Sequence, residues 1–256
     1  MCLTCGCGDD GGLRIEGVAA HAHDHAYGQA SVETLVLEER LLAKNDQQAE
    51  HVRASLQVRG ITAVNLMSSP GSGKTTLLER TIAELGDRQV CVIEGDQETS
   101  FDADRIRRAG ARAVQVNTGA GCHLDADMVH RALHVLDPAP GALLFVENVG
   151  NLVCPALFDV GERAKVVVIS VTEGDDKPLK YPHMFRAADL VVVNKTDLLP
   201  HVDFDLERLE EQASSLNPHV LVLALSVRTG DGLPGWFDWL DTLDAEGATR
   251  GAAIRP

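Results

Sequence analysis

Ser68-Ser69-Pro70-Gly71-Ser72-Gly73-Lys74-Thr75-Thr76 stands between an apolar run at 61–67 and a stretch of helical spacing that opens with Leu77-Leu78. It matches the phosphate-binding pattern G-x-x-x-x-G-K-[ST] at every fixed position except the first, where Ser68 replaces glycine, and it has the required strand before and helix after. Gly71 and Gly73 let the backbone curl until its N–H groups point inward at phosphate oxygens. The N-terminus of the following helix adds a favourable dipole. Gly71, Ser72, Gly73, Lys74, Thr75 and Thr76 are therefore the expected phosphate cradle. Lys74 is placed to bridge the β- and γ-phosphates, and the Thr75 hydroxyl to ligate Mg²⁺.

Outward from this loop the chain alternates. Short apolar runs recur at 90–94, 112–117, 142–147, 165–172, 189–194 and 219–225. Between them lie segments of helical spacing at 75–85, 125–136, 204–216 and 233–243. Strands apolar throughout, linked by helices, imply an α/β fold with a mostly parallel sheet covered on both faces. Ligands of such sheets bind beyond the carboxyl ends of the strands. Ser31 can cap a leading helix that runs to about residue 57 and stops at Gly60. Residues 1–30 are rich in Gly, His and Asp and lack periodicity, so they read as a separate tail. The expected division is a Cys/His-rich tail at 1–30 and a nucleotide-binding domain at 31–256, with the leading helix at 31–60.

Asn194-Lys195-Thr196-Asp197 follows another strand. It is the N-K-x-D pattern of guanine-specific proteins. A carboxylate at Asp197 accepts hydrogen bonds from the guanine ring N–H and exocyclic amine together. Adenine lacks that amine and would leave the carboxylate unpaired, at a cost. Asn194 suits the other edge of the base, and the Lys195 stem can lie along it. Ser226-Val227-Arg228, after the run at 219–225, is placed like a final base-contact loop. GTP is the implied nucleotide. Two acids are candidates for the Mg²⁺ side: Glu147 after the run at 142–147, and Asp96 after the run at 90–94. Hard carboxylates suit Mg²⁺. Glu147 is assigned as the metal-linked acid and Asp96 as the switch acid that orients water or metal; the alternative for both is a helix cap. Asp102 reads as a first-turn helix acid. Lys74, Asp96 and Glu147 form the expected catalytic set for Mg²⁺-dependent GTP hydrolysis.

A second chemistry is written in the thiols and imidazoles, six Cys and ten His in 256 residues. Cys2, Cys5 and Cys7 with the terminal amine can wrap one soft or borderline ion such as Ni²⁺, Cu²⁺ or Zn²⁺. His21, His23 and His25 add imidazoles to the same tail, or are solvated linker. Cys122-His123 and Cys154 follow strands whose ends should lie near the phosphate loop. Adjacent side chains on extended backbone point apart, so a shared ion at Cys122 and His123 needs a turn or a second subunit. The alternative is two buried thiols and a capping histidine. His130, His134, His183, His201, His219 and Cys91 read as structural or surface residues.

Lys and Arg number 23 against 38 Asp and Glu, a formal charge of −15. Such a surface disfavours nucleic acid and anionic membranes. The N-terminal residues lack an apolar h-region, so no signal peptide is expected, and no run approaches membrane-spanning length. A cytoplasmic, reducing setting with free thiols is expected. With only 4% aromatic residues, the core must be aliphatic.

Together these stretches resemble the hydrogenase nickel-incorporation GTPase family, HypB. The residues that carry the likeness are the terminal C-x-x-C-G-C, 68–76, Glu94-Gly95-Asp96, Gly121-Cys122-His123-Leu124, 147–155, 175–182 and 194–199. The resemblance spans essentially the whole of residues 31–243, and Ser68 is usual in that family. It implies a P-loop GTPase that forms a GTP-dependent homodimer. It implies a nickel site at Cys2, Cys5 and Cys7, and a nickel or zinc site at Cys122, His123 and Cys154 near the dimer interface. It further implies delivery of nickel to the large subunit of [NiFe] hydrogenase with a small zinc-containing partner, and Lys177 or Lys180 reaching the partner's nucleotide. Three alternatives stay open at this level: a urease-type accessory GTPase, a nickel or zinc store without nucleotide coupling, and a P-loop kinase.

Overall fold

The computed structural model describes residues 32–252, apart from 87, 97–100 and 120. Cys2, Cys5, Cys7, His21, His23, His25 and the Ser31 cap lie outside the described residues. Seven strands form one sheet: β1 (Thr62–Ser68), β2 (Val90–Asp96), β3 (Arg112–Asn117), β4 (Leu143–Gly150), β5 (Ala164–Ser170), β6 (Leu190–Asn194) and β7 (Leu221–Ala224). Their order is β3-β2-β4-β1-β5-β6-β7, and every pairing is parallel. The helices are α1 (Val32–Val58), α2 (Lys74–Leu85), α3 (Phe101–Arg108), α4 (Ala126–Leu136), α5 (Lys177–Lys180), α6 (Pro182–Ala187), α7 (Leu206–Leu216) and α8 (Leu233–Ala252). The expected parallel α/β architecture is present.

Alternation along each strand distributes side chains to two faces. Val64, Leu66, Val166 and Val168 turn to one face, where α2 and α8 cover them with Leu77, Leu78, Trp236 and Leu240. On the other face, α1 and α4 pack Val52, Leu56, Val129 and Leu136 onto Ile93, Leu144 and Val146. Farther along the same face, α6 and α7 pack Phe185 and Leu209 on Val167, Ile169 and Val193. The core is largely aliphatic. Trp236 is an exception that stacks on Trp239 and donates its indole N–H to Thr81 Oγ1 at 2.9 Å.

The helix starts follow side-chain capping. Asp125 accepts from Met128 N at 2.8 Å and Asp205 from Arg208 N at 3.0 Å. Each is therefore the residue before its helix rather than part of it. Ser170 and Glu173 form a reciprocal capping box. That box ends β5 at Ser170 and turns 171–173, two of which the apolar run had included, into a 3₁₀ turn.

Two differences from the sequence reading move functional residues. β4 runs on to Gly150, so Glu147 lies inside the strand rather than at its end. β2 runs to Asp96. The parallel ladders to β1 and β3 carry the polar residues along: Ser68 pairs with Gly150 and Asp96 with Asn117. Hydrophobicity stops earlier than the hydrogen bonding does. Among the described residues, no helix is long and apolar enough to cross a membrane.

Candidate nucleotide and metal site

The loop between β1 and α2 takes the conformation its glycines permit. Gly71 has φ +77° and Gly73 φ +103°. A Cβ on Gly73 would sit 2.5 Å from Asn194 Nδ2, so glycine is required there both by backbone angle and by the closeness of the N-K-x-D segment. Lys74 is buried, and its Nζ donates to Ser68 Oγ at 2.6 Å. The hydroxyl that replaces glycine at the first position thus tethers the loop's own lysine.

The N-K-x-D segment is bolted to this loop. Asn194 Nδ2 donates to Ser72 O at 2.9 Å, and Lys195 Nζ to Gly71 O at 2.7 Å. Asn194 Oδ1 accepts from Val227 N at 3.2 Å, and Ser226 Oγ donates to Asp197 Oδ1 at 2.7 Å. The structure therefore brings Asn194, Lys195, Asp197 and Ser226 together beside the phosphate loop. Arg228 reaches to 3.8 Å from the other Asp197 oxygen.

On the opposite side of the loop lie the acids. Thr75 Oγ1 donates to Glu147 Oε1 at 2.7 Å. Glu94 stands in register with Glu147 across the β2–β4 ladder. One carboxylate oxygen from each of Glu94, Asp102 and Glu147 lies within 4.8 Å of the other two. Oε2 of Glu94 and Oε2 of Glu147 are buried without a partner. Burial pushes the Glu94 carboxyl up to about 11, helped by the neighbouring Glu147 charge. Burial also raises Glu147, opposed by Lys74. Clustered, orphaned carboxylate oxygens next to a threonine hydroxyl are what a hard divalent cation satisfies. The residues present fit Mg²⁺, which Thr75 and Glu147 would hold. Asp96 lines the same cleft beside Gly95 and Asn148 but stands outside this trio.

Asp102 is more than a helix acid. It does occupy the first turn of α3, and its carboxylate also joins the cluster. Arg105 pairs with it at 3.0 Å, with Glu79 at 2.6 Å, and donates to Thr76 Oγ1 at 3.1 Å. Arg105 carried no motif signal, and Glu94, though within Glu94-Gly95-Asp96, carried no assigned role. Glu94 is a lone acid ending an apolar run, and that oddity was the available hint.

The thiol cluster is assembled by a bend. Gly121 N donates to Thr118 O at 2.8 Å, and the chain bends at 122–123. Cys122 Sγ then lies 3.0 Å from Cys154 Sγ and 3.8 Å from His123 Nδ1. The adjacent Cys and His side chains therefore converge rather than point apart. His123 stacks on Phe158 with ring centroids 3.9 Å apart, and burial lowers its pKa, favouring the neutral imidazole, the form able to ligate a metal. Cys91 stays in β2, where burial raises its thiol. Lys177 and Lys180 pair within their own chain, with Glu173 at 3.3 Å and Asp176 at 2.6 Å.

One residue touches both sites. Leu124 follows His123. Its N–H donates to Asn148 Oδ1 at 3.0 Å, next to Glu147. Its side chain packs so tightly on Gly95 that a Cβ there would stand 2.7 Å away.

Residues 62–224 match the family described as "CobW/HypB/UreG, nucleotide-binding domain". The chain is 52% identical over 249 residues to the hydrogenase maturation factor HypB of Azotobacter chroococcum mcd 1, covering 95% of this chain and 80% of that one. It is 44% identical to HypB of Escherichia coli K12, covering 94% and 99%. The chain belongs to the HypB hydrogenase maturation factors. Among solved HypB structures, the one from Helicobacter pylori in complex with nickel superposes with a TM-score of 0.75 at 39% identity, covering 79% of this chain and 96% of that one. HypB from Archaeoglobus fulgidus gives 0.73 at 43% identity, covering 79% and 99%. With these HypB matches the urease-type alternative is not favoured.

Proposed function

We propose that this HypB chain is a GTP-hydrolysing nickel metallochaperone that supplies the large subunit of [NiFe] hydrogenase during maturation. The observation that carries the reading is Leu124. It joins the loop of Cys122 and His123 to β2 at Gly95 and β4 at Asn148, two residues that line the nucleotide cleft.

The nucleotide half works through positioning. Amides of residues 71–76 and the Lys74 ammonium bind the phosphates. Asp197 accepts from the guanine edge, steadied by Ser226, while Asn194 and Lys195 hold that segment against the loop. Thr75 and Glu147 hold Mg²⁺, which when bound neutralises charge on the β- and γ-phosphates. Asp96 orients the attacking water.

The metal half handles cargo. Thiolates of Cys122 and Cys154 and the imidazole of His123 bind Ni²⁺, and the same donors accept Zn²⁺. The tail at 1–30 captures Ni²⁺ through Cys2, Cys5 and Cys7, ahead of the GTPase domain at 31–256. The working form is a GTP-dependent homodimer in the cytoplasm, with a small zinc-containing maturation protein as further partner.

A ligand shifts only an equilibrium whose states it binds differently. The test is therefore Ni²⁺ affinity at the Cys122 site, measured with a non-hydrolysable GTP analogue and with GDP. Different affinities are expected. Equal ones would overturn the coupling and leave a nucleotide-independent store.

A further inference from the structure

α4 carries a second pair of imidazoles, separate from the cysteine site. His130 and His134 lie one turn apart, about 6 Å along the helix axis. Their Nε2 atoms are 3.2 Å from each other. The rings meet edge to face, with centroids 4.6 Å apart. His134 is exposed and His130 half-buried. Neither ring has another hydrogen-bond partner among the described residues.

That separation suits a shared ion. Two imidazole nitrogens bound to one ion at about 2.0–2.1 Å stand about 3.0 Å apart in a cis octahedral site and about 3.3 Å in a tetrahedral one. The observed 3.2 Å lies between. Residues four apart share one helix face, and H-x-x-x-H is a ligand spacing. The helix is also held still. Asp125 caps its start, and Val129, Ala132 and Leu136 are buried in the core. Little ordering is then needed when an ion binds. Arg131, whose charge would oppose a cation here, is paired with Asp127 at 2.9 Å.

We propose that His130 and His134 form a two-histidine surface site for a late first-row divalent ion, Ni²⁺ in this chain, with water filling the other positions. Both imidazoles bind neutral, and no electron or group is transferred. Hard ions such as Mg²⁺ prefer oxygen donors and leave the pair alone. The helix that bears the site starts three residues after His123, so the site stands on the element leading away from the cysteine cluster. It does not depend on that cluster. The competing account of the short distance is an N–H···N hydrogen bond between the two rings.

Equilibrium dialysis of the full-length chain against Ni²⁺ alone decides between them. His130→Gln/His134→Gln should lose one bound Ni²⁺ per chain. His134→Gln/Val135→His keeps two histidines but moves the second off the shared face, and should weaken that equivalent about tenfold by losing the chelate. Cys122→Ser/Cys154→Ser should retain it, while separately testing the cysteine-site reading through loss of a different equivalent. The proposal is overturned if the double glutamine variant binds as the unmodified chain does. It also fails if the Val135 variant shows no weakening, or if the equivalent vanishes with the cysteines. Far-ultraviolet circular dichroism checks that α4 remains folded in each.

Discussion

Asp197 is aimed before any base arrives. Ser226 fixes one of its oxygens, and Asn194 ties its segment to Ser72. An acceptor held in place loses little entropy on binding. Asp197→Asn should lower GTP affinity by about ten- to a hundredfold, the value of a hydrogen bond to a charged group. It should also turn preference toward xanthosine triphosphate, as competition binding would show; an unchanged preference for GTP would refute the base-reading assignment. Residue identity made Asp197 and Lys74 legible, because their motifs are local. Glu94 was not legible, because its role comes from standing opposite Glu147 on a neighbouring strand. The convergence of Cys122 and His123 was equally hidden, since a bend and not residue type brings their donors together.

At the scale of elements, the strand ends and the loop after β3 move as one if Leu124 is their link. Asn148 Oδ1 accepts from both Leu124 N and Val149 N, and Asn148 Nδ2 donates to Asn65. Asn148→Ala should leave the buried Leu124 N–H unpaired, costing about 1–3 kcal/mol. The ratio of Ni²⁺ affinities between GTP-analogue and GDP states should then approach one. A ratio equal to that of the unmodified chain would remove Asn148 from the coupling. The leading helix gives a separate test. α1 is pinned by Arg53 to Asp159 at 2.6 Å and by Asn45, which joins Asp159 O to Ala126 N. Val52 sits where a Cβ of Gly161 would come within 2.6 Å, and Gly161 has φ +84°. Gly161→Ala should therefore cost about 1–3 kcal/mol of stability, read as a lower thermal midpoint without a change in guanine preference. An unaltered midpoint would show that α1 yields freely. Helix and strand order was readable from periodicity. The ends of β2 and β4 were not, because partner strands extend a ladder past the point where apolar residues stop.

For the whole molecule, three donors at Cys122, His123 and Cys154 leave room for completion from a second copy. Light scattering should show the mass doubling with a GTP analogue and Ni²⁺ but not with GDP; a monomer under both conditions would refute the homodimer. The sequence by itself determined the parallel α/β class, the phosphate loop, the guanine segment and the thiol inventory. Each of these depends on short-range pattern: apolar period, glycine freedom, or fixed spacing within a few residues. Only the tertiary structure decided that β2 lies beside β4, which gathers Glu94, Asp102 and Glu147 around Thr75. The same packing seats Leu124 on Gly95 between the nucleotide cleft and the thiols. Those juxtapositions join residues far apart in the chain, and strand order, set by packing both faces of one sheet, brings them together.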